Sequence, residues 1–408
     1  EALLQAYNNN PELKAERENI KISKEDLKIT TSEFLPSVTF SGSKSNENTS
    51  KLTTQAGTDT SIDDVDPLTQ TLKIEQKIFQ GFGGLAKREK SEIGLNIARA
   101  KLLKKEQEIL LKAINAYTGL IFSNEKFKIN QSNLNLLEKQ VKTNQERLER
   151  GIITIVDLAQ SESSLAGAKA KFIESKNEII TSKLKYENVI GKILNISDLD
   201  KKYDVLLAIP KNLDSSIKIS KNKNPVLIIS KLEYEQSLQD VVIARSDLSP
   251  SATLSFENSR TEDFNTTYDE RDKNILKASV NWPIYSGGKN RASLNKNRNL
   301  KNRKKLLLES AIKSNDANVV SSWSSLQSNK SLLNAVRLQV KAAEIANEGI
   351  TAEYESGLGR STLDVIQSNT LLLDSKISLA NAERKYFLSE FKLLQSIGLL
   401  TVEYLKIK

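Results

Sequence analysis

The sequence feature that most constrains the fold is a helical turn that occurs twice, about two hundred residues apart. The copies span residues 145–165 and 353–373, and in each a charged helical segment stops at a glycine before an apolar-striped segment starts at an aspartate. Gly151 and Gly357 stand where a helix C-terminus favours positive φ. The spacing also matches a capping box in both copies; these pairs are Thr154 with Asp157 and Ser361 with Asp364. Two helical hairpins in one chain predict an internally duplicated protein.

Long apolar seams lead into and out of both turns. Residues about 84–150 and 289–356 keep a helical period throughout, with apolar or small residues stepping by fours and threes. The first seam contains Ala100, Leu103, Leu110, Ile114, Tyr117 and Ile121, and the second contains Ala335, Leu338, Ala342, Ile345, Gly349 and Ala352. A helix of some 65 residues reaches about 100 Å. We therefore expect coiled-coil packing in a structure that bridges a compartment, because no globular domain needs helices of this length.

Four stretches between the helical segments change to a period of two. Residues about 35–82 hold one strand pair and residues about 248–286 hold another, with polar loops at 44–67 and 258–274. Two interpretations stay open: a half-buried sheet packed on helices, or a membrane barrel wall with an apolar outside and a polar inside. No apolar run approaches the length of about 18 residues that a membrane helix needs, so a bilayer crossing must use strands. Four strands cannot close a barrel, and the second interpretation therefore requires several copies of the chain.

Aromatic residues cluster where both strand pairs change over to helices. This position is typical of the aromatic belt at a membrane interface. The four candidates for such a belt are Phe79, Phe82, Trp282 and Tyr285.

The composition excludes most catalytic and metal-binding chemistry. The chain has no cysteine, histidine or methionine, so it has no thiolate nucleophile, imidazole base or Cys/His metal site. We expect no enzyme, no cofactor and no metal. Because residue 1 is not methionine, we expect that an N-terminal segment has been removed or left out, as in a mature secreted chain. The net charge is +9, but only residues 301–305 (KNRKK) form a patch, and the choice between solvated helix faces and a functional basic surface stays open.

The second turn carries a resemblance to a known family. With Tyr354, Gly357, Arg360 and the run Leu363-Asp364-Val365, it resembles the periplasmic turn of the TolC family of outer-membrane efflux proteins. The resemblance covers the order of elements along the whole chain. It implies an α+β membrane protein in which four strands per chain contribute to a trimeric 12-stranded outer-membrane barrel, continuous with a long antiparallel α-helical coiled-coil tunnel.

The family resemblance also implies a function and partners. It implies a passive conduit in the outer membrane of a Gram-negative bacterium, extending into the periplasm and embedded in outer-membrane lipid. A homotrimer would export small molecules or proteins received from a periplasmic adaptor and an inner-membrane transporter. It would do so without catalysis and without nucleic acid.

Particular residues acquire roles through the same resemblance. Tyr354, Arg360 and Asp157 match the residues that link the hairpins and close the tunnel tip, and Asp364 matches a ring of aspartates at the aperture. Gln367 stands where family members often carry a second acid, which weakens any cation-binding ring. The turns at Gly151, Gly357 and Gly359 are the expected adaptor-docking sites. A simpler interpretation of Asp157 and Asp364 is that they only cap helices.

The predicted domain organisation follows the duplication. The first repeat covers residues 1–209, with a helix, a strand pair at about 35–82, a helical hairpin at 84–194 and a linker at 195–209. The second covers 210–408, with a linker, a helix, a strand pair at about 248–286, a hairpin at 288–398 and a C-terminal tail.

Two other classes of protein stay open at this point. A periplasmic adaptor also has long helical hairpins, but it should lack strand pairs flanked by aromatic residues. A basic coiled-coil protein that binds nucleic acid fits the positive charge, but the sequence shows no basic groove interleaved with aromatic residues.

Overall fold

The computed structural model describes residues 2–50, 52–53, 55–57, 59–60, 64–192, 195–196, 199, 209–265 and 267–406. Most of the predicted linker at 195–209 lies outside these residues. The helices are α1 Ala2–Asn9, α2 Pro11–Ser32, α3 Gly83–Glu149, α4 Ile155–Val189, α5 Leu213–Lys223, α6 Pro225–Ser246, α7 Lys289–Glu355 and α8 Thr362–Ser396. None of the helices in this part of the chain combines the length and the hydropathy that a bilayer crossing requires.

Three pairs of equivalent helices in the two halves have equal lengths. α2 and α6 have 22 residues each, α3 and α7 have 67 each, and α4 and α8 have 35 each. Asn10 precedes the proline that opens α2, and Asn224 precedes the proline that opens α6. Asn10 Oδ1 accepts hydrogen bonds from the backbone N–H groups of Glu12 and Leu13, and Asn224 Oδ1 accepts one from that of Val226. Proline is tolerated at the first helical position because its missing N–H has no helical partner there.

The strands form one four-stranded antiparallel sheet and two short ribbons. The sheet strands are β1 Ser37–Lys44, β6 Leu68–Gln80, β7 Ser251–Glu262 and β8 Glu270–Asn281, in the order β1-β6-β7-β8. Short strands between β1 and β6 pair as β2 Glu47–Asn48 with β5 Asp64–Val65, and as β3 Leu52–Thr53 with β4 Asp59–Thr60. β7 therefore joins the two strand pairs of the sequence through its ladder with β6.

The strands extend further than the sequence pattern predicts. The predicted polar loop at 258–274 contains the last five residues of β7 and the first five of β8, which pair with each other as far as Glu262 opposite Glu270. The predicted loop at 44–67 contains the two ribbons. The far ends of β7 and β8 are polar on both faces, so no alternation of apolar and polar residues marks them, and the ribbon strands have only two residues each, too few to show an alternation. Backbone pairing alone extends the strands there.

The described chain divides into two compact units. Unit 1 comprises Glu1–Glu18, Ala100–Ile228 and Ser310–Lys408, and unit 2 comprises Asn19–Arg99 and Ile229–Glu309. Each unit contains segments from both halves of the sequence, so the compact units do not coincide with the repeats predicted at 1–209 and 210–408. Those repeats describe a duplication of the sequence, and they stay a prediction.

The main core of unit 1 lies between α3, α7, α8 and the residues that follow α8. Its buried members are Leu110, Ile114, Val319, Leu326, Phe391, Leu393, Leu394, Ile397 and Leu400. This core is apolar, as the helical seams predict. It packs α3, α7 and α8 together at positions far from the two hairpin turns.

Candidate functional site

Both hairpin turns begin with the same helix C-terminal motif, and both lie in unit 1. Gly151 has φ +74° and Gly357 has φ +76°, in the left-handed region that glycine adopts without steric cost. Each glycine N–H donates three residues back and the next N–H donates five residues back, which defines a Schellman motif. These bonds are Gly151 N to Leu148 O (2.8 Å), Ile152 N to Arg147 O (2.9 Å), Gly357 N to Tyr354 O (3.3 Å) and Leu358 N to Glu353 O (3.0 Å). Gly359, with φ +80°, adds a second left-handed residue to the longer turn.

Both turns end in a complete capping box. Asp157 Oδ2 accepts from Thr154 N at 3.0 Å and from Thr154 Oγ1 at 2.7 Å, while Asp157 N donates back to Thr154 Oγ1 at 3.3 Å. Asp364 Oδ2 accepts from Ser361 N and Ser361 Oγ, both at 2.9 Å, and Asp364 N donates to Ser361 Oγ at 3.2 Å. The Thr154 hydroxyl and backbone bonds lower the pKa of Asp157, and the Ser361 bonds lower the pKa of Asp364.

Tyr354 connects the second turn to the first hairpin. Its hydroxyl lies 3.2 Å from Asn144 Oδ1, to which it donates, and 3.1 Å from Thr362 Oγ1. Asn144 Nδ2 in turn donates to Ser161 Oγ at 2.7 Å. The Arg147 guanidinium lies over the Tyr354 ring, 4.7 Å from its centroid. The end of α7 is therefore joined to α3, α4 and α8 by one chain of hydrogen bonds.

The other predicted tip residues bond within their own turns. Arg360 Nε donates to Glu353 Oε2 at 2.6 Å, an exposed ion pair that raises the pKa of Arg360. Asp157 bonds to Thr154, as described, rather than to Arg360. Gln367 is exposed one helical turn after Asp364. In the described part of this single chain, Tyr354 is therefore the predicted residue that reaches across from one hairpin to the other.

The sequence pattern assigns no role to Asn144, although its side chain connects Tyr354 to Ser161. It is 1% exposed, and it follows Asn130 and Leu137 at seven-residue spacing along α3, both of which are also buried. A polar residue at a seam position is the signal that could have found it, because a buried asparagine requires hydrogen-bond partners. Its partner Tyr354 lies 210 residues away, and no local pattern identifies such a pair.

The sheet of unit 2 exposes its apolar face. The register aligns Val38, Ile74, Phe256 and Leu276 in one row across all four strands. Val38 is 64% exposed and Leu276 is 73% exposed, whereas Ser259 and Thr261 on the opposite face of β7 are 7% and 4% exposed. A sheet in a water-soluble protein has the reverse arrangement, with its apolar face on a core.

The four predicted belt residues lie at one end of this sheet. Ser251, at the start of β7, pairs with both Gln80 at the end of β6 and Asn281 at the end of β8, so both strands end at the same edge. The belt residues that follow or adjoin these ends are all exposed, namely Phe79, Phe82, Trp282 and Tyr285. The Phe79 and Phe82 rings pack edge to face with centroids 5.7 Å apart, and Trp282 Nε1 donates to Leu248 O at 3.2 Å. The Trp282 and Tyr285 rings combine an apolar body with a polar atom, and the Phe79 and Phe82 rings add apolar surface beside them, as a membrane interface favours.

Long capped hairpins together with a sheet whose apolar face is exposed define the class of outer-membrane channel proteins. A solved structure of that class, the CmeC outer membrane channel of Campylobacter jejuni, has the same fold, with a TM-score of 0.86 over 98% of this chain and 85% of that chain at 15% identity. The family model described as outer membrane efflux protein matches residues 2–192 and 217–399. The chain belongs to this family and is a protein of the Gram-negative outer membrane.

Named relatives agree with this assignment. The chain is similar to the outer membrane efflux protein BepC of Brucella suis biovar 1 (strain 1330), with 25% identity over 406 residues, which cover 99% of this chain and 86% of BepC. It is also similar to the outer membrane protein TolC of Salmonella enteritidis, with 23% identity over 312 residues, covering 72% of this chain and 62% of that protein. Family membership decides for the efflux class over the adaptor and the coiled-coil binding protein.

Proposed function

We propose that three copies of this chain form a passive channel-tunnel that carries small molecules or proteins across the outer membrane. In this proposal the four-stranded sheets join into a 12-stranded barrel, and the long helices extend into the periplasm as an antiparallel tunnel. The cargo comes from an inner-membrane transporter through a periplasmic adaptor, and the chain itself catalyses nothing.

The exposed apolar face of the sheet is the observation that carries this proposal. A row such as Val38, Phe256 and Leu276 would be costly in water at about 25 cal/mol per Å² of apolar surface, and lipid removes that cost. The opposite face bears polar groups, including Thr69 and Thr261, whose hydroxyls lie 3.1 Å apart. An apolar outside and a polar inside are the signature of a transmembrane barrel wall.

The free edges of the sheet support assembly from several copies. In the described part of the chain, β1 pairs only with β6 and β8 pairs only with β7, so each leaves one edge unpaired. Unpaired edges in lipid leave backbone N–H and C=O groups without partners, which costs several kcal/mol each. Pairing of β8 in one copy with β1 in the next satisfies both edges, and a ring of such contacts closes.

We place the gate at the hairpin tips. Tyr354 and Asn144 hold the second turn against the first hairpin, while Asp157 and Arg360, now bonded within their turns, are free to exchange partners with a neighbouring copy. Asp364 and Gln367 line the aperture in this proposal. Three carboxylates from Asp364 attract cations less than six would.

Adaptor docking is assigned to the two turns. Gly151, Gly357 and Gly359 lie in exposed backbone, and an exposed apolar side chain follows the glycine in each turn, Ile152 in the first and Leu358 in the second. Exposed apolar side chains at a tip with bare backbone suit a protein partner.

The decisive test is the intact mass of the detergent-extracted protein, followed by reconstitution into a planar bilayer. We expect a mass of three chains and discrete ion-conducting channels. A monomer that stays in solution without detergent, or trimers that conduct no ions, would contradict the proposal.

A further inference from the structure

The first five turns of α7 carry a charge of +8, which is close to the net charge of the whole chain. Between residues 289 and 308 there are eight cations and no aspartate or glutamate, whereas the whole chain has a net charge of +9. These cations are Lys289, Arg291, Lys296, Arg298, Lys301, Arg303, Lys304 and Lys305. The KNRKK patch is the end of this longer basic segment, and the rest of the chain is nearly neutral.

The equivalent part of α3 is different. Residues 83–102 contain five cations and two glutamates, and its lysines have acidic partners: Lys87 Nζ lies 3.3 Å from Glu33 Oε2 and Lys90 Nζ lies 2.6 Å from Asp240 Oδ1. Among the described residues, Lys304 is the one member of the α7 set with an acidic partner within 4.0 Å, namely Glu233 at 2.7 Å. The duplicated helices therefore share their length but not their charge.

Six of the eight cations form two rows along α7. Lys289, Lys296 and Arg303 repeat every seven residues and are exposed, and we call them row A. Row B, also exposed at seven-residue spacing, consists of Arg291, Arg298 and Lys305.

The rows flank the packed side of the helix. That side contains Asn290, which donates to Asp247 O at 2.8 Å, together with buried Leu294 and the Lys304–Glu233 pair. At 100° per residue, row A lies about a third of a turn to one side of this packed side and row B about a quarter turn to the other. In a wall built of neighbouring helices, the two rows therefore face opposite surfaces of the wall.

This charge opposes helix stability, so its presence needs another explanation. Cations in the first turn interact unfavourably with the positive end of the helix dipole, and a segment with no acids gains no pairing along its surface. A solvated helix face needs no such arrangement, and α3 shows that the same position tolerates glutamates and ion pairs.

We propose that one of the two rows lines the conduit and makes it selective for anions, so that the favoured cargo is a solute carrying carboxylate, phosphate or sulfonate groups. This inference rests on the proposed function, because only assembly into a channel wall gives the rows an inner and an outer surface. Three copies place nine cations on the inner surface. A charged lining of one sign concentrates solutes of the opposite sign.

The test is the reversal potential of reconstituted channels under a KCl gradient. Two triple variants neutralise one row each: Lys289→Gln, Lys296→Gln and Arg303→Gln for row A, and Arg291→Gln, Arg298→Gln and Lys305→Gln for row B. Glutamine keeps the helix propensity close to that of lysine and arginine. Each variant is the matched control for the other, since both lose three charges from the same helix. The measurements are repeated with Asp364→Asn, which removes the acid assigned to the aperture.

We expect the parent channel to prefer chloride and one triple variant to lower the ratio of anion to cation permeability by about threefold or more, while the other stays close to the parent. The difference should shrink between about 0.1 M and 1 M salt, because the Debye length falls from about 10 Å to 3 Å. Channels whose permeability ratio is the same in the parent and both variants would overturn this inference and leave the proposed function standing. Parent protein that forms no channels would overturn the proposed function, and the inference with it.

Discussion

At the scale of single residues, the tip is held by uncharged groups in a buried network. Tyr354, Asn144 and Ser161 form a continuous path of hydrogen bonds, and Asn144 and Ser161 are buried. Removing one member leaves its partner without a bond in a dry environment, which costs more than the bond itself contributes in water. Removal of a single hydroxyl can therefore weaken the packing of the tip without changing any charge.

Replacement of Tyr354 by phenylalanine tests this connection. Tyr354→Phe keeps the ring under Arg147 but removes the hydroxyl that bonds to Asn144, so we expect the tip contact to weaken by about 1–3 kcal/mol. The measurement is single-channel conductance, which should rise or fluctuate between more levels. Ser356→Ala is the control, because the Ser356 hydroxyl bonds to Ala352 O of its own helix at 2.6 Å. Equal conductance in the parent and Tyr354→Phe would show that this bond does not hold the tip.

The two capping aspartates predict an acid-sensitive tip. Their hydrogen bonds lower the pKa of Asp157 and Asp364 in the folded state. A lowered folded-state pKa stabilises the turn above the unfolded pKa of about 3.9, and this stabilisation is lost as the pH falls through the folded pKa. Hydrogen exchange of the turn amides, corrected for the intrinsic pH dependence, should therefore show faster opening at pH 3 than at pH 6. Asp157→Asn with Asp364→Asn should show little difference between these pH values, since asparagine does not titrate.

Short-range signals made part of the tip predictable. Thr154 and Asp157 stand three residues apart, and this spacing alone predicted the capping box that the structure contains. The Arg360–Glu353 ion pair spans seven residues of an irregular turn, and the Tyr354–Asn144 bond joins distant parts of the chain. Those two contacts depend on the tertiary structure, so the sequence pattern did not indicate them.

At the scale of elements, the glycines at two helix ends differ in whether a Cβ atom would fit beside them. A Cβ built on Gly357 would meet no atom within 4 Å, whereas a Cβ on Gly398, which follows α8, would collide with Lys223 O. Both residues have positive φ, +76° and +83°. The Gly357 turn therefore requires only a backbone conformation, while Gly398 also requires empty space where the end of α5 approaches.

This difference predicts two distinct outcomes for alanine substitution. Gly357→Ala should destabilise its turn by about 1–2 kcal/mol, the cost of a left-handed conformation for a residue with a Cβ. Gly398→Ala adds a backbone collision to the same cost and should destabilise unit 1 substantially more. Thermal unfolding of the detergent-solubilised protein compares the two, and equal losses would contradict the role of the close approach to Lys223.

The strands show what periodicity can and cannot predict. The alternation at Val38 and Phe40 and at Leu254 and Phe256 correctly identified β1 and β7. It did not decide which face is covered, because a sheet on a core and a sheet in lipid have the same alternation. It also missed the far ends of β7 and β8, where residues such as Asn258 and Asn274, whose side chains bond at 2.7 Å, are polar on both faces.

At the scale of the whole molecule, the exposed face of the sheet predicts where charge is tolerated. Phe256→Lys places a charge in the apolar row, and we expect a cost of about 2–4 kcal/mol if this position lies near the middle of the bilayer. The measurement is the fraction of the protein that reaches the outer membrane as an assembled complex. Ser255→Lys is the matched control, because its side chain lies on the polar face opposite Glu75 and Lys277. Equal loss of assembly in both variants would show that the apolar row does not face lipid.

The two unpaired sheet edges have a consequence for mixed populations. In the proposed ring of three copies, which closes through β1 and β8, every copy supplies one edge to each neighbour. A single copy with a blocked edge therefore inactivates a complex that also contains two intact copies. If half of the chains in a cell carried such a defect, only about one ring in eight would contain three sound copies. A defective allele would therefore be dominant over the intact one, and the cell would lose most of its export even though it still made half of its normal protein.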